Sequence, residues 1–170
     1  MTERWSGLAG RISRYFLVII LLLAFTGLAT FAVMSDTSIH GLTVRFYDVS
    51  WTCTSNSTSI NPILTYKFGS VIVYSSASLP TSLAHVTFAM STNGVPVSTT
   101  TAPDQTFSPG QSASYTTLTF SNPAFDPGSQ PLSQQIALVI NSQVSAGLYS
   151  SQASATDSEV VHFPSQACST

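Results

Sequence analysis

An uninterrupted apolar run near the N-terminus constrains this chain more than any other feature. Tyr15 to Val33 reads YFLVIILLLAFTGLATFAV, 19 residues without a charge. As an α-helix rising about 1.5 Å per residue, the run spans roughly 28 Å, close to the hydrocarbon thickness of a bilayer. It therefore predicts a transmembrane helix rather than a buried helix of a soluble protein.

Three arginines, Arg4, Arg11 and Arg14, precede this run and set its expected orientation. By the positive-inside rule the N-terminus lies in the cytoplasm and the rest of the chain lies outside. The predicted organisation is a cytoplasmic segment 1–14, a signal-anchor helix 15–33, a linker 34–40, an extracytoplasmic domain 41–165 and a tail 166–170. This organisation predicts a single-pass protein of the plasma membrane.

Two other interpretations of the apolar run involve processing. A cleaved signal peptide is compatible with the small residues of Gly27-Leu28-Ala29 and Thr30-Phe31-Ala32. Its apolar region is usually about 7–15 residues long, so the longer run here favours retention without excluding cleavage. A pilin-type leader needs its processing motif directly before the run, where Arg11-Ile12-Ser13-Arg14 stands instead.

The composition agrees with a domain outside the cytoplasm. Charged residues make up only 7% of the chain, against about 25% in ordinary soluble proteins. Ser and Thr supply the polarity instead, at about 30% of all residues. Hydrophobic residues at 44% argue against disorder. Ser/Thr-rich anchored sandwiches with few lysines resemble archaeal surface proteins.

The charge that follows the apolar run is negative. Its only cations, Arg45 and Lys67, are outnumbered by carboxylates, namely Asp36, Asp48, Asp104, Asp126, Asp157 and Glu159. A basic surface for phosphate backbones is therefore not expected, and neither is a nucleic-acid partner.

From residue 41 onward, short alternating segments separated by turn residues predict strands. Leu42, Val44 and Phe46 alternate with polar residues, and Gly69 suggests a bulge or bend within a later strand. Asn93-Gly94 predicts a tight hairpin, because both residues tolerate positive φ. About seven such strands predict an all-β fold, an immunoglobulin- or fibronectin-III-like β-sandwich.

Two predictions near the C-terminus are more specific. Leu132 to Val144 has apolar residues at helical spacing, which predicts a short helix. Gly147 to Thr156 and Glu159 to Phe163 are predicted to be the last strands.

Two covalent features are expected outside the membrane. Cys53 and Cys168 both follow the anchor, and thiols there tend to be oxidised, so a disulfide is expected. Two independent thiols or an intermolecular bridge are the alternatives. Asn56-Ser57-Thr58 is an Asn-x-Ser/Thr sequon, so Asn56 is a candidate glycosylation site.

The sequence offers little for catalysis. His40, His85 and His162 could form a zinc site only if distant segments met, and exposed or hydrogen-bonded histidines are the simpler interpretation. Asp157 and Glu159 share one face of a predicted strand, as residues of a solvated acidic rim would. No nucleophile elbow, phosphate-binding loop or dinucleotide motif is present. We therefore expect no enzyme, no metal, no cofactor and no small-molecule substrate.

The segment Val71 to Phe120 resembles the water-stress and hypersensitive-response (WHy) domain of type-2 late-embryogenesis-abundant proteins. The likeness lies in its turns, Leu79-Pro80, Asn93-Gly94 and Pro109-Gly110, and in the alternating strands between them. Tyr74-Ser75-Ser76 stands where that family usually has Asn-Pro. The resemblance implies an immunoglobulin-like sandwich, often tethered to a membrane, with no catalytic residues to carry over.

Two functional hypotheses follow. The first is a membrane-anchored surface module with a structural, protective or surface-interaction role. The second is an accessory subunit of a cell-surface filament or envelope complex, such as an archaellum-stator-like protein or a pilus component. Either would have a surface-layer, filament or envelope protein as partner. A ligand-binding module is a third possibility and would need a concave polar pocket.

Overall fold

A computed structural model describes residues 3–54, 63–122 and 133–162, with side chains from Tyr15 onward. One helix precedes eight strands. Their bounds are α1 Glu3–His40, β1 Leu42–Thr54, β2 Ile63–Ser75, β3 Thr81–Thr92, β4 Val95–Thr101, β5 Gln105–Phe107, β6 Ser112–Asn122, β7 Ser133–Ala146 and β8 Tyr149–His162.

The strands form two antiparallel sheets that enclose one core. The first has the order β1-β2-β6, and the second has the order β4-β3-β7-β8, with β5 also pairing with β3. The predicted all-β fold behind one apolar helix is confirmed at this level, with eight strands instead of about seven. At the core, Phe68 makes edge-to-face contacts with Phe46 and Phe120, at centroid distances of 5.2 and 5.3 Å. Such aromatic pairs add about 0.5–1.5 kcal/mol to the effect of burial alone.

A row of three residues crosses the first sheet and interrupts its regular pairing. Asp48 (φ 57°), Gly69 and Thr117 (φ 62°) lie opposite one another on β1, β2 and β6. On every strand the alternation of buried and exposed side chains changes phase at this row, so both halves of the sheet face the same core. A Cβ at Gly69 would lie 2.9 Å from the Cβ of Asp48, which explains the glycine. The irregularity predicted at Gly69 thus belongs to a feature of the whole sheet.

The second sheet has a bulge of its own. β3 carries one extra residue relative to β7 around His85, whose φ is 53°. The Asp104 carboxylate accepts a hydrogen bond from the His85 N–H at 2.9 Å, and the Val86 carbonyl accepts one from the Ala102 N–H. These contacts give two backbone groups at the bulge a hydrogen-bond partner in the segment between β4 and β5.

The helix predicted over Leu132 to Val144 is wrong for the described part of that segment, which belongs to β7. This strand lies between β3 and β8, and its even-numbered side chains all face the core: Gln134, Ile136, Leu138, Ile140, Ser142, Val144 and Ala146. The apolar residues fit both a period of two and a helical spacing. Pairing with a neighbour on either side decides in favour of the strand.

Two predicted boundaries also differ from the structure. Residues 34–40, predicted as a linker, form the last two turns of α1, in which Ser35, Ser38 and Ile39 are buried against the sandwich. The two separate strands predicted at the end are one strand, β8, up to His162. Its Asp157 carboxylate accepts a hydrogen bond from the Phe46 N–H at 3.2 Å, which holds β8 beside the edge of β1.

Candidate functional site at the junction of helix and sandwich

Among the described residues, nothing covers the apolar part of α1 over most of its length. Tyr15–His40 is long and apolar enough to cross a membrane. Its large side chains from Tyr15 to Leu28 are between 49% and 71% exposed. Such a surface is unfavourable in water and suits a lipid environment.

The last turns of α1 are built into the sandwich. Ser35, Ser38 and Ile39 are buried there, although the helix is exposed further back. Two of these three side chains are small, so the helix backbone can approach the sheets closely. The Ser38 hydroxyl donates to the Met34 carbonyl at 2.6 Å and is thereby satisfied within the helix.

The end of α1 is joined to the end of β2 through backbone contacts. The Gly41 N–H donates to the Thr37 carbonyl at 2.9 Å, and the Gly41 carbonyl accepts from the Ser76 N–H at 3.1 Å. A Cβ at Gly41 would collide with the Ser76 hydroxyl and would lie 2.6 Å from the Thr37 oxygen. The glycine is required by this close approach. Gly41 alone separates the end of α1 from the start of β1.

A second contact with α1 comes from the turn between β7 and β8. Gly147, at φ 62°, lies so close to Phe31 that a Cβ there would be 2.5 Å from the Cζ of the ring. The Tyr149 ring packs against the same phenylalanine, at a centroid distance of 6.3 Å. Leu148, between them in sequence, is 92% exposed, the highest value among the large hydrophobic residues whose side chains are described. The turn thus presents an apolar side chain beside the exposed helix.

The sequence did not predict this junction. The local pattern predicts a strand at Gly147 and a linker at residues 34–40. One signal could have indicated it, because Gly147-Leu148-Tyr149 places two large apolar residues in a tight turn after a glycine. The small residues near the helix end are a weaker signal, since Ser and Thr are frequent throughout the chain.

The residues predicted to form the hairpin, the disulfide, the glycosylation site and the orientation signal either lie away from this junction or have side chains that are not described. Asn93 and Gly94, at φ 48° and 79°, connect β3 to β4 at the end of the sandwich away from α1. Cys53 lies near the end of β1, half-buried. Asn56 and Cys168 are outside the described residues, so the disulfide and the glycosylation stay predictions. The same holds for the orientation assigned to Arg4, Arg11 and Arg14, whose side chains are not described.

The candidate catalytic residues do not come together. His40 lies on α1, 3.4 Å from the Asp36 carboxylate, whereas His85 and His162 lie on β3 and β8. Among the described residues, no group of three His, Cys, Asp or Glu side chains could hold a metal ion.

Two tyrosine hydroxyls lie inside the sandwich. Tyr66 donates to the Gln134 side-chain oxygen at 3.0 Å, whereas the Tyr115 hydroxyl has no hydrogen-bond partner among the described residues. Burial raises the pKa of both phenols to about 12, and the Asp104 charge contributes at Tyr115. Both are therefore neutral near pH 7 and belong to the core.

Comparison with known proteins identifies no family. The sequence matches no protein-family model and no curated protein, so the WHy resemblance has no support from relatives. Three similar crystal structures are a protein from Archaeoglobus fulgidus, the sporulation control protein Spo0M from Bacillus subtilis and the putative ApaA protein from Bordetella pertussis.

These similarities are distant. The identities are 12%, 13% and 12%, and the TM-scores are 0.40, 0.41 and 0.39, in the same order. The matches cover 71%, 74% and 72% of this chain, and 98%, 50% and 94% of the other chains. The chain thus matches half the length of Spo0M. Similarities at this level do not bear on its function.

Proposed function

We propose that this protein is a single-pass membrane-anchored surface module, in which α1 is an uncleaved anchor and the sandwich is displayed outside the plasma membrane. The observation that carries the proposal is the continuity of α1. Its exposed apolar turns continue without a break into turns that are buried against the sandwich. Cleavage after residue 29 or 32 would remove most of the exposed part of this helix and would leave only its end attached to the sandwich. The arginines before Tyr15 support a cytoplasmic N-terminus.

The strand order supports a fibronectin-III-like fold. β4 and β5 both pair with β3 and count as one interrupted strand. With β4 and β5 counted together as the fourth strand, β6, β7 and β8 become the fifth, sixth and seventh. One sheet then holds the first, second and fifth strands, and the other holds the fourth, third, sixth and seventh, in that order. In the constant-type immunoglobulin order the fourth strand lies beside the fifth instead. WHy membership remains a hypothesis that rests on the turns of the sequence.

A structural or protective role is favoured over catalysis. Two of the carboxylates, Asp104 and Asp157, accept hydrogen bonds from backbone N–H groups and so have a place in the fold. The partner we propose is a surface-layer or other envelope protein. A filament subunit would gain support from an exposed apolar edge strand, but β8 is mostly Ser, Thr, Ala and acidic residues. We therefore place that alternative second.

Protease protection tests the topology. The full chain carries an N-terminal and a C-terminal epitope, and intact cells are treated with a non-permeant protease. We expect loss of the C-terminal epitope, protection of the N-terminal one, and both epitopes on one chain before treatment. A protected C-terminal epitope, or a chain without its N-terminal epitope before treatment, would contradict the anchor.

The role is tested in the native host. We expect a deletion strain to be sensitive to drying or osmotic stress, and crosslinking in native membranes to join the protein to an envelope component. A strain without an envelope or stress phenotype, together with a protein recovered only as a free monomer, would refute the proposal. So would turnover of a substrate by the purified full chain.

A further inference from the structure

We propose that the turn between β7 and β8, Gly147-Leu148-Tyr149, is a second membrane contact that inserts Leu148 into the outer leaflet beside α1. This inference rests on the proposed function, because it takes α1 to be the membrane anchor. The partner is the lipid bilayer itself. The sandwich is then held at two points, the helix and the turn, and has a fixed orientation on the membrane surface.

The depth of the turn follows from its contact with α1. The turn touches Phe31 through Gly147 and Tyr149. A bilayer core of about 30 Å needs roughly 20 helical residues, which extend from Tyr15 to Met34. Phe31 lies within that length. It is also about 7.5 Å along the helix axis from Asp36, the first charged residue after the apolar run. The turn, which packs against Phe31, is therefore at the depth of the boundary between the hydrocarbon core and the headgroups.

The chemistry of the turn fits this depth. Leu148 is 92% exposed and would leave water on contact with the acyl chains. Tyr149 has an apolar ring with a polar hydroxyl, the kind of side chain that concentrates at membrane interfaces. Hydroxyl and amide groups follow immediately, since the Gln143 amide donates to the Ser150 hydroxyl at 3.0 Å. These groups suit the headgroup layer.

The hairpin around the turn also lacks charge. From Ser133 to Thr156 the sequence has no Asp, Glu, Lys, Arg or His. Asp157 pairs with Leu138, far along the ladder from the turn. Charged side chains near the hydrocarbon boundary would oppose insertion, and this hairpin brings none there.

A tryptophan placed in the turn tests the proposal. The full chain is reconstituted in phosphatidylcholine vesicles, with and without lipids brominated near the glycerol end of the acyl chains. Leu148→Trp is compared with Val95→Trp, since Val95 is also exposed but lies at the opposite end of the sandwich. The emission of the parent chain is subtracted from both.

We expect the emission added by Leu148→Trp to shift to the blue and to be quenched by the brominated lipid. The emission added by Val95→Trp should keep its water-exposed wavelength and intensity. Added emission that is equally unquenched at both positions would overturn the second contact.

Vesicle flotation and resistance to carbonate extraction separate the two proposals. If the full chain floats and resists extraction while Leu148→Trp is unquenched, the inference on the turn fails and the anchor stands. If the parent chain does not associate with vesicles, both fail. Because Leu148 is exposed and makes few contacts, the variant tests insertion rather than folding.

Discussion

The Ser75 hydroxyl donates a 3.2 Å hydrogen bond to the carbonyl oxygen of Ser38, which ties the end of β2 to the last turn of α1. The same hydroxyl accepts a hydrogen bond from the Ala77 N–H at 3.1 Å. The last backbone carbonyls of a helix have no hydrogen-bond partner within the helix. Here the Ser75 side chain at the end of β2 is the partner of one of them. One side chain therefore satisfies two backbone groups at the junction.

Ser75→Ala should weaken the junction and the fold. It leaves two buried backbone groups without this hydroxyl, at a cost of about 1–3 kcal/mol in the free energy of unfolding. Denaturant unfolding of the full chain in detergent measures the loss, and limited proteolysis between α1 and β1 reports the loosened junction. Ser112→Ala, at an exposed serine of β6, is the matched control. Equal stability of both variants would show that the Ser75 bond is not needed.

Thr117→Gly should stabilise the sandwich. Thr117 has a φ of 62°, a strained value for a β-branched residue that costs on the order of 1–3 kcal/mol, whereas glycine adopts it freely. The greater entropy of glycine in the unfolded chain offsets about 0.4–1 kcal/mol of this gain. We expect a net increase of about 1 kcal/mol in the free energy of unfolding.

The neighbour Thr116 provides the control for this prediction. It is exposed on the same strand but is not among the residues with positive φ. Thr116→Gly should therefore destabilise the fold by roughly 1 kcal/mol, as glycine does within strands. If both substitutions lower the unfolding midpoint equally, the strain assigned to Thr117 is not real.

Replacing the two core tyrosines by phenylalanine should have unequal effects. Tyr66→Phe removes the donor to Gln134 and leaves a buried amide oxygen without it, which costs about 1–3 kcal/mol. Tyr115→Phe removes a buried hydroxyl without a hydrogen-bond partner among the described residues, so it should be neutral or stabilising. Unfolding curves of the two variants check this order. A larger loss in Tyr115→Phe would reveal a partner for that hydroxyl.

The same tyrosines predict a loss of stability at alkaline pH. Burial raises their pKa from 10.0 to about 12 in the folded state. Between these values the unfolded chain releases protons that the folded chain retains, so stability falls as pH rises from 10 to 12. Each tyrosine contributes a loss on the order of 2 kcal/mol. Unfolding midpoints across this range should decline less steeply in Tyr115→Phe. An unchanged slope would contradict the raised pKa.

Several features of this protein depend only on local sequence pattern. The length and apolar character of Tyr15 to Val33 predict a membrane helix without reference to any other segment. Alternation from Leu42 to Phe46 and the Asn93-Gly94 turn likewise predict strands and a hairpin. These features arise from backbone geometry and from side chains close in sequence, so a short window contains their cause.

The remaining features depend on contacts between segments that are distant in sequence. The apolar pattern of β7 fits a helix or a strand. It forms a strand because its backbone pairs with β3 on one side and β8 on the other. Ser38 and Ser75, and likewise Phe31 and Gly147, are distant in sequence and meet only when the sheets close. The alternation of buried and exposed side chains on β1 changes phase at Asp48, in register with the same change at Gly69 and Thr117. Such contacts depend on register and on packing between elements, which no local pattern contains. The apolar span therefore followed from sequence, whereas its direct, hydrogen-bonded connection to the sandwich followed only from the fold.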